Sequence, residues 1–315
     1  MKYIGKRFIT LIITLLCISA ITFAAFSVIP GNASITKLGT DATPEQIAAL
    51  EKELGLDQPV TTRYFNWLKD ALRGDFGDSY QYDNTTVTSL LASRLPVTVL
   101  LAVMAFLLII LVSIPLGILS ARFSGKLPDT LINVITQITM AIPPFFLGIL
   151  LTYIFGLVLK WFQPGQFISP KESFWGCVCY LIFPAVAVAL PKIAMVIKFL
   201  RNSVLGQMGQ DYVRTAYSRG NTKSSVLYRH VLKNAFIPVI TFMALIIAEI
   251  LAGSIIVEQV FSVPGVGRLL ITAISSRDYP VVQAIVTYVT ALVVTINFLV
   301  DVLYQVIDPR IRTAG

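Results

Sequence analysis

Charge is scarce in this chain. Only 13% of its 315 residues are Asp, Glu, Lys or Arg, and a soluble domain of this length carries roughly twice that share. Apolar residues make up 56% of the sequence, and mean hydropathy is +0.77. An ordinary soluble fold is excluded, and a polytopic membrane protein is expected. Histidine is scarcer still. His230 stands alone, which excludes a His-based zinc triad within the chain. Its neighbours Arg229 and Lys233 oppose the charge a general base must take up. No Gly-x4-Gly-Lys-Ser/Thr run is present, so nothing here cradles nucleotide phosphates. The three cysteines, Cys17, Cys177 and Cys179, are too few and badly spaced for a disulfide framework or a metal site. They read as small apolar residues. Internal repeats and low-complexity tracts are missing too. The net charge of +8 does not signal nucleic acid, because no basic run outside the apolar segments is interleaved with aromatics. An enzyme is not expected, and no cofactor is assigned to this chain.

What remains is apolar length. Six runs are long enough to cross a ~30 Å hydrocarbon core: Phe8–Ile29, Val97–Ala121, Leu131–Leu159, Tyr180–Leu200, Phe236–Val257 and Val281–Val306. The first follows a short basic start and ends in Pro30-Gly31 without a small-residue cleavage site, so it reads as a retained span. Pro143-Pro144 is expected to kink the third, because proline removes backbone donors. Pro184 and Pro191 lie inside the fourth. The fold class is therefore all-α, a single membrane domain of six helices.

Charge asymmetry orients it. With both termini in the cytoplasm, the inner segments hold fourteen basic residues against three acidic ones, Asp129, Asp211 and Asp308. The mixed-charge segment 30–96 then lies outside. Within it, Thr43-Pro44-Glu45-Gln46 carries the marks of a helix start with a capping box, and Leu54-Gly55 those of its end. Residues Thr61–Leu72 group Tyr64, Phe65, Trp67 and Leu68 on one side, as if to lie against the membrane surface or an outer mouth. Gly74-Asp75-Phe76-Gly77-Asp78-Ser79-Tyr80 reads as a packed surface loop, lacking the spacing of a phosphate or calcium loop.

Lys192, Glu249 and Asp301 fall within spans, where a charge is costly and marks function or mutual pairing. Counting from the inner ends of the runs at about 1.5 Å per residue, Lys192 and Asp301 are level to within roughly 3 Å, and Glu249 lies roughly 9 Å further out. A Lys192–Asp301 pair is the easier one on this count, although the lysine stem reaches either way. Lys192 and Asp301 can also snorkel to the inner surface. Glu249 is too central for that and is expected to face an interior polar path or a partner.

The longest inner loop, residues 201–235, is the other concentration of charge. From Lys198 to Pro238 it carries seven basic residues and one acid, Asp211, with a break at Gly220-Asn221-Thr222. Asp211-Tyr212-Val213-Arg214-Thr215-Ala216, then Gly220, then Arg229-His230-Val231-Leu232-Lys233-Asn234-Ala235 and Pro238 resemble the cytoplasmic signature of ABC-importer permeases. The version is that of the peptide/nickel group, as in the B-type subunit of dipeptide and oligopeptide importers. The general motif is Glu-Ala-Ala, three residues, then Gly. Arg214-Thr215-Ala216 fills the first three places and Gly220 the last. Leu54 to Pro59, Gly74 to Ser79, Glu258 to Arg268, Arg277-Asp278-Tyr279-Pro280, and Asn297 with Asp301 and Asp308-Pro309-Arg310 resemble the same family, so the likeness covers nearly the whole chain. Lys192 and Glu249 depart from its pattern, as does Lys233, where the general motif closes on proline.

The resemblance implies a type I ABC importer permease fold and a half-channel. The expected partners are a second homologous permease, two ATPase subunits carrying ATP and magnesium, an extracytoplasmic solute-binding protein, and membrane lipid. Asp211, Tyr212, Arg214, Thr215, Ala216, Arg219, Gly220 and Lys223 would couple to an ATPase. Peptides are the expected cargo, with nickel, metal chelates or another small polar solute as the alternative. A secondary transporter is the rival class, but it would need a repeat or a self-sufficient ion path.

Overall fold

The computed structural model describes residues 2–28, 43–53, 55 and 57–307. Among them the regular structure is helical, with one isolated bridge, Asp78 to Thr86. Pro30-Gly31, Leu54, Leu56 and Asp308-Pro309-Arg310 lie outside the described residues. The chain forms two compact units, one from residues 1–98 and 264–295 and one from 99–263 and 296–315.

In the first unit, α1 (Lys2–Val28) is the apolar run at the start of the chain. α2 (Pro44–Glu53) begins at a reciprocal capping box. The Thr43 amide donates to Gln46 Oε1 at 3.0 Å, and the Gln46 amide donates to Thr43 Oγ1 at 3.3 Å. Both are amides that a helix start otherwise leaves unsatisfied. α3 (Val60–Ala71) turns its aromatic side to α1: Tyr64 and Trp67 sit 5.5 and 5.8 Å from the Phe23 ring, and the Tyr64 hydroxyl meets Ser19 Oγ at 2.9 Å. That side is spent on the first span, and Phe65 alone of the four aromatic and leucine positions is widely exposed.

α4 (Val87–Arg122) starts well before the second apolar run, so the last part of segment 30–96 is already helix. α10, numbered in chain order and spanning Val266–Ser275, is capped from another helix: the Val266 amide donates to Thr98 Oγ1 at 2.9 Å. Val87, Leu91, Leu269, Ala273, Val281 and Ile285 form the buried centre of this unit. Asp278, at the start of α11 (Tyr279–Ile307), is buried and accepts from Ser79 Oγ, from the Tyr80 amide at 3.1 Å and from the Gln81 amide at 3.3 Å. The 74–80 loop is thus held by a carboxylate nearly two hundred residues away.

In the second unit the expected third span is broken rather than kinked. α5 (Leu127–Ala141) and α6 (Pro144–Leu151), the latter continued by a wider π turn over Thr152–Val158, meet at 98°. Ile142 and Pro143 are extended, with ψ of 122° and 144°. Each precedes a proline, which disfavours the α region, so two consecutive prolines undo two consecutive helical residues. α7 (Phe174–Met208) keeps Pro184 and Pro191 within a continuous helix. α9 (Leu232–Val260) follows. Among the described residues, five helices are long and apolar enough to cross a membrane, and the broken pair counted as one span makes six.

α7 and α9 pack antiparallel, and their register is explicit. Ser203 Oγ donates to the Ala235 carbonyl at 2.8 Å, Phe199 stacks on Phe242 at 4.4 Å, and Lys192 pairs with Glu249. Gly117 admits Leu200 to the α4 backbone, since a Cβ there would lie 2.8 Å from its Cδ2. The three cysteines are free, with Cys177 buried and the other two exposed.

Candidate functional site

The loop between α7 and α9 folds into a short helix, α8 (Asp211–Ser218), and a reversal. Asp211 lies in the first turn, where its charge complements the helix dipole. Val213 and Ala216, three apart on one face, are buried, and α8 packs against the π turn Val226–Val231 that leads into α9. The other face is open: Asp211, Arg214, Thr215, Tyr217, Ser218 and Arg219 are exposed. The Asp211–Arg214 pair, 3.7 Å apart and almost wholly in solvent, adds little to stability. Tyr212 is half-buried and donates its hydroxyl to Gln207 Oε1 at 2.9 Å, tying α8 back to the end of α7.

Gly220 ends the helix. Its φ is +80°, its amide donates to the Tyr217 carbonyl at 2.9 Å, and the Asn221 amide reaches the Ala216 carbonyl at 3.4 Å. This is the Schellman arrangement, which requires a left-handed residue at that place. No atom lies within 4 Å of a Cβ built there, so the glycine serves the backbone turn rather than a close approach within the chain. Thr222 restarts the helix by accepting from the Ser225 amide at 3.3 Å. Of the eight residues expected to couple, six are presented to solvent: Asp211, Arg214, Thr215, Arg219, Gly220 and Lys223. Ala216 is instead a packing residue, because the i, i+3 spacing puts it beside Val213.

One element of this region was not foreseen. Asp129, in the first turn of α5 and 3% exposed, receives a two-point fork from Arg201 of α7, Nε to Oδ1 at 2.7 Å and Nη2 to Oδ2 at 2.8 Å. Ser120 Oγ at 2.6 Å, Asn133 Nδ2 at 2.7 Å and the Gly125 amide at 2.9 Å complete its shell. The fork clamps the stretch of α7 from which α8 hangs. Its only sequence signal was an acid beside Pro128 in the first turn of a helix.

The charges within the spans pair differently from the expectation. Lys192 binds Glu249, not Asp301; their side chains are 19% and 49% exposed. The depth count failed because it took the ends of the apolar runs as level, whereas the α7–α9 register sets Lys192 opposite Glu249. Asp301 is partly buried and engaged in interactions of its own. His230 is exposed on the π turn. Among the described residues no three His, Cys, Asp or Glu side chains gather as metal ligands.

The presented helix closed by a left-handed glycine, between two of the spans in the chain, coincides with a family match. Residues 113–313 match the model of the binding-protein-dependent transport system inner membrane component, and residues 1–102 match that family's N-terminal membrane component. The chain belongs to this family. It is a multi-pass inner-membrane permease subunit, not itself a catalyst. The permease is 34% identical over 310 residues to a probable peptide ABC transporter permease protein of Sinorhizobium fredii, covering 98% of this chain and 99% of the relative. It is 37% identical over 307 residues to a putative peptide transport system permease protein of Brucella abortus, with 98% of each chain covered. It is 34% identical over 312 residues to the oligopeptide transport system permease protein AppB of Bacillus subtilis, at 98% and 99% coverage.

Proposed function

We propose that this permease forms half of the channel of an ATP-driven importer for di- or oligopeptides. It pairs with a second, homologous permease. Two ATPase subunits bind inside, supplying ATP and magnesium that this chain does not hold, and a solute-binding protein delivers cargo outside. Both termini lie in the cytoplasm, segment 30–96 outside, and the 201–235 loop inside, as the basic excess of the inner segments favours. The three relatives, all named as peptide or oligopeptide permeases, favour peptide over nickel or a metal chelate.

The observation that carries the reading is α8, with its buried Val213–Ala216 side turned inward and Arg214 presented outward, followed by exposed Arg219 and Lys223 around the reversal. Such a helix fits a groove on an ATPase and pairs with carboxylates across the joint. Closure of the ATPases on ATP then displaces α8. The displacement passes to α7 through Tyr212–Gln207, to α5 through Arg201–Asp129 and to α9 through Ser203–Ala235. Those links make the helices move as one body and exchange outward for inward access.

The test is uptake of a radiolabelled tripeptide by cells expressing the whole assembly. Reversing Arg214 and Arg219 to glutamate abolishes uptake and releases the ATPases on purification, while the permease stays in the membrane. Undiminished uptake with that double variant overturns the docking role of α8.

A further inference from the structure

A carboxylate and an ammonium meet in the middle third of two membrane-spanning helices, Glu249 of α9 and Lys192 of α7. Glu249 is half open, at 49% exposure. It is one of a row of exposed α9 positions, Leu245, Glu249, Ala252 and Ile256, at helical spacing. Phe199, on the same side of α7 as Lys192 by its seven-residue spacing, is exposed as well. The ion pair therefore opens onto one face of the α7–α9 pair instead of being sealed between the helices. A carboxylate turned to hydrocarbon at that depth would be severely penalised, and intramembrane charges face water or protein instead. This face therefore turns away from lipid, toward a polar path or a partner protein.

Matching charge says what the path serves. A peptide with free ends carries one ammonium and one carboxylate, separated in a di- or tripeptide by about 7–10 Å. Stripping both ends of water is costly unless each finds an opposite charge. The exposed Glu249 carboxylate accepts the ammonium, and Lys192 takes the carboxylate. Each end replaces one member of an existing pair as the two side chains part, so the exchange ends with no charge alone. A capped or neutral solute gains only half of this, or none.

We propose that Lys192 and Glu249 are a transit site for the charged ends of a peptide zwitterion. The assignment rests on the peptide-importer reading above and deepens it.

The test uses the whole assembly: this permease, its partner permease, the ATPases and the binding protein. Three labelled peptides are supplied at concentrations saturating the binding protein: trialanine with free ends, its N-acetyl form and its C-amide form. Glu249→Gln lowers the advantage of free trialanine over the N-acetyl form by about tenfold and leaves its advantage over the amide in place. Lys192→Met does the reverse. The double variant Lys192→Met/Glu249→Gln leaves no charge unpaired, so it remains informative where a single variant misassembles, and it loses both preferences together. Equal change for all three peptides, or unchanged ratios, overturns the transit site while leaving the importer reading intact. Import of none of the peptides by the unaltered assembly overturns the importer reading itself.

Discussion

Arg201 grips Asp129 with the Nε–Nη2 edge of its guanidinium, at 2.7 and 2.8 Å, across 72 residues of sequence. The fork fixes the last part of α7, and α8 begins ten residues beyond it. Arg201→Met leaves the 5%-exposed Asp129 carboxylate without its cation, a loss of about 3 kcal/mol for a buried pair broken on one side. Arg201→Lys keeps the charge but not the planar fork and loses less. The double variant Asp129→Asn/Arg201→Met is more stable than Arg201→Met alone, because no charge is orphaned. Thermal unfolding of the purified permease in detergent ranks the three. An Arg201→Met protein as stable as the parent rules out the clamp.

Gly220 makes a separate prediction about shape. At φ +80° an L-residue costs about 1–2 kcal/mol, least for asparagine. The open space around a built Cβ means that size is not the issue within the chain. Gly220→Val therefore loses peptide uptake and Gly220→Asn retains most of it, with both proteins present in the membrane at parental level. Equal loss in the two would instead point to a partner surface that cannot accept any side chain.

What was legible in the sequence is what is local. Thr43 and Gln46 announce a capping box three residues apart, and the structure forms it. Gly220 announces a reversal, and the reversal is there. Pro143-Pro144 announced a disturbance in the third span, but two soft dihedrals on each side set its size, so the 98° break was not readable. What joins distant segments was hidden. Ser79 and Asp278 lie in two segments that each stood out separately, and no periodicity relates them. The Lys192–Glu249 pairing depends on how α7 slides along α9. Apolar run ends do not mark that slide, because α7 stays buried as far as Val204, beyond the expected edge of the span.

Asp278 supplies a prediction for the first unit. Its carboxylate gathers the Ser79 hydroxyl and the Tyr80 and Gln81 amides, and burial raises the Tyr80 phenol above its usual range, with Arg63 opposing. Asp278→Ala strips the Ser79 hydroxyl and the Tyr80 amide of this acceptor, at about 1–3 kcal/mol for each one left buried, while the Gln81 amide keeps Ser79 Oγ at 3.1 Å. The 74–86 loop then opens to protease in detergent, whereas Ser79→Ala has a smaller effect. Because this anchor is remote in sequence from α8, both variants retain the ATPases on purification. Loss of the ATPases in Asp278→Ala contradicts that separation.

The open face around Glu249 gives the last prediction. In a background with Cys17, Cys177 and Cys179 replaced by alanine, a single cysteine is placed at Glu249 or at Ile240, which is also exposed on α9. Water ionises a thiol and hydrocarbon does not, so a charged, membrane-impermeant thiosulfonate reacts only with a wet position. Glu249→Cys reacts in the assembled importer, and free trialanine slows the reaction. Replacing Glu249 leaves Lys192 without its partner, so the same scan is run on Ala252→Cys, one turn along the same row, with the ion pair intact. Both positions label if the row lines a polar path. Silence at both, with Ile240→Cys equally silent, means that the row is dry and rules out the polar path.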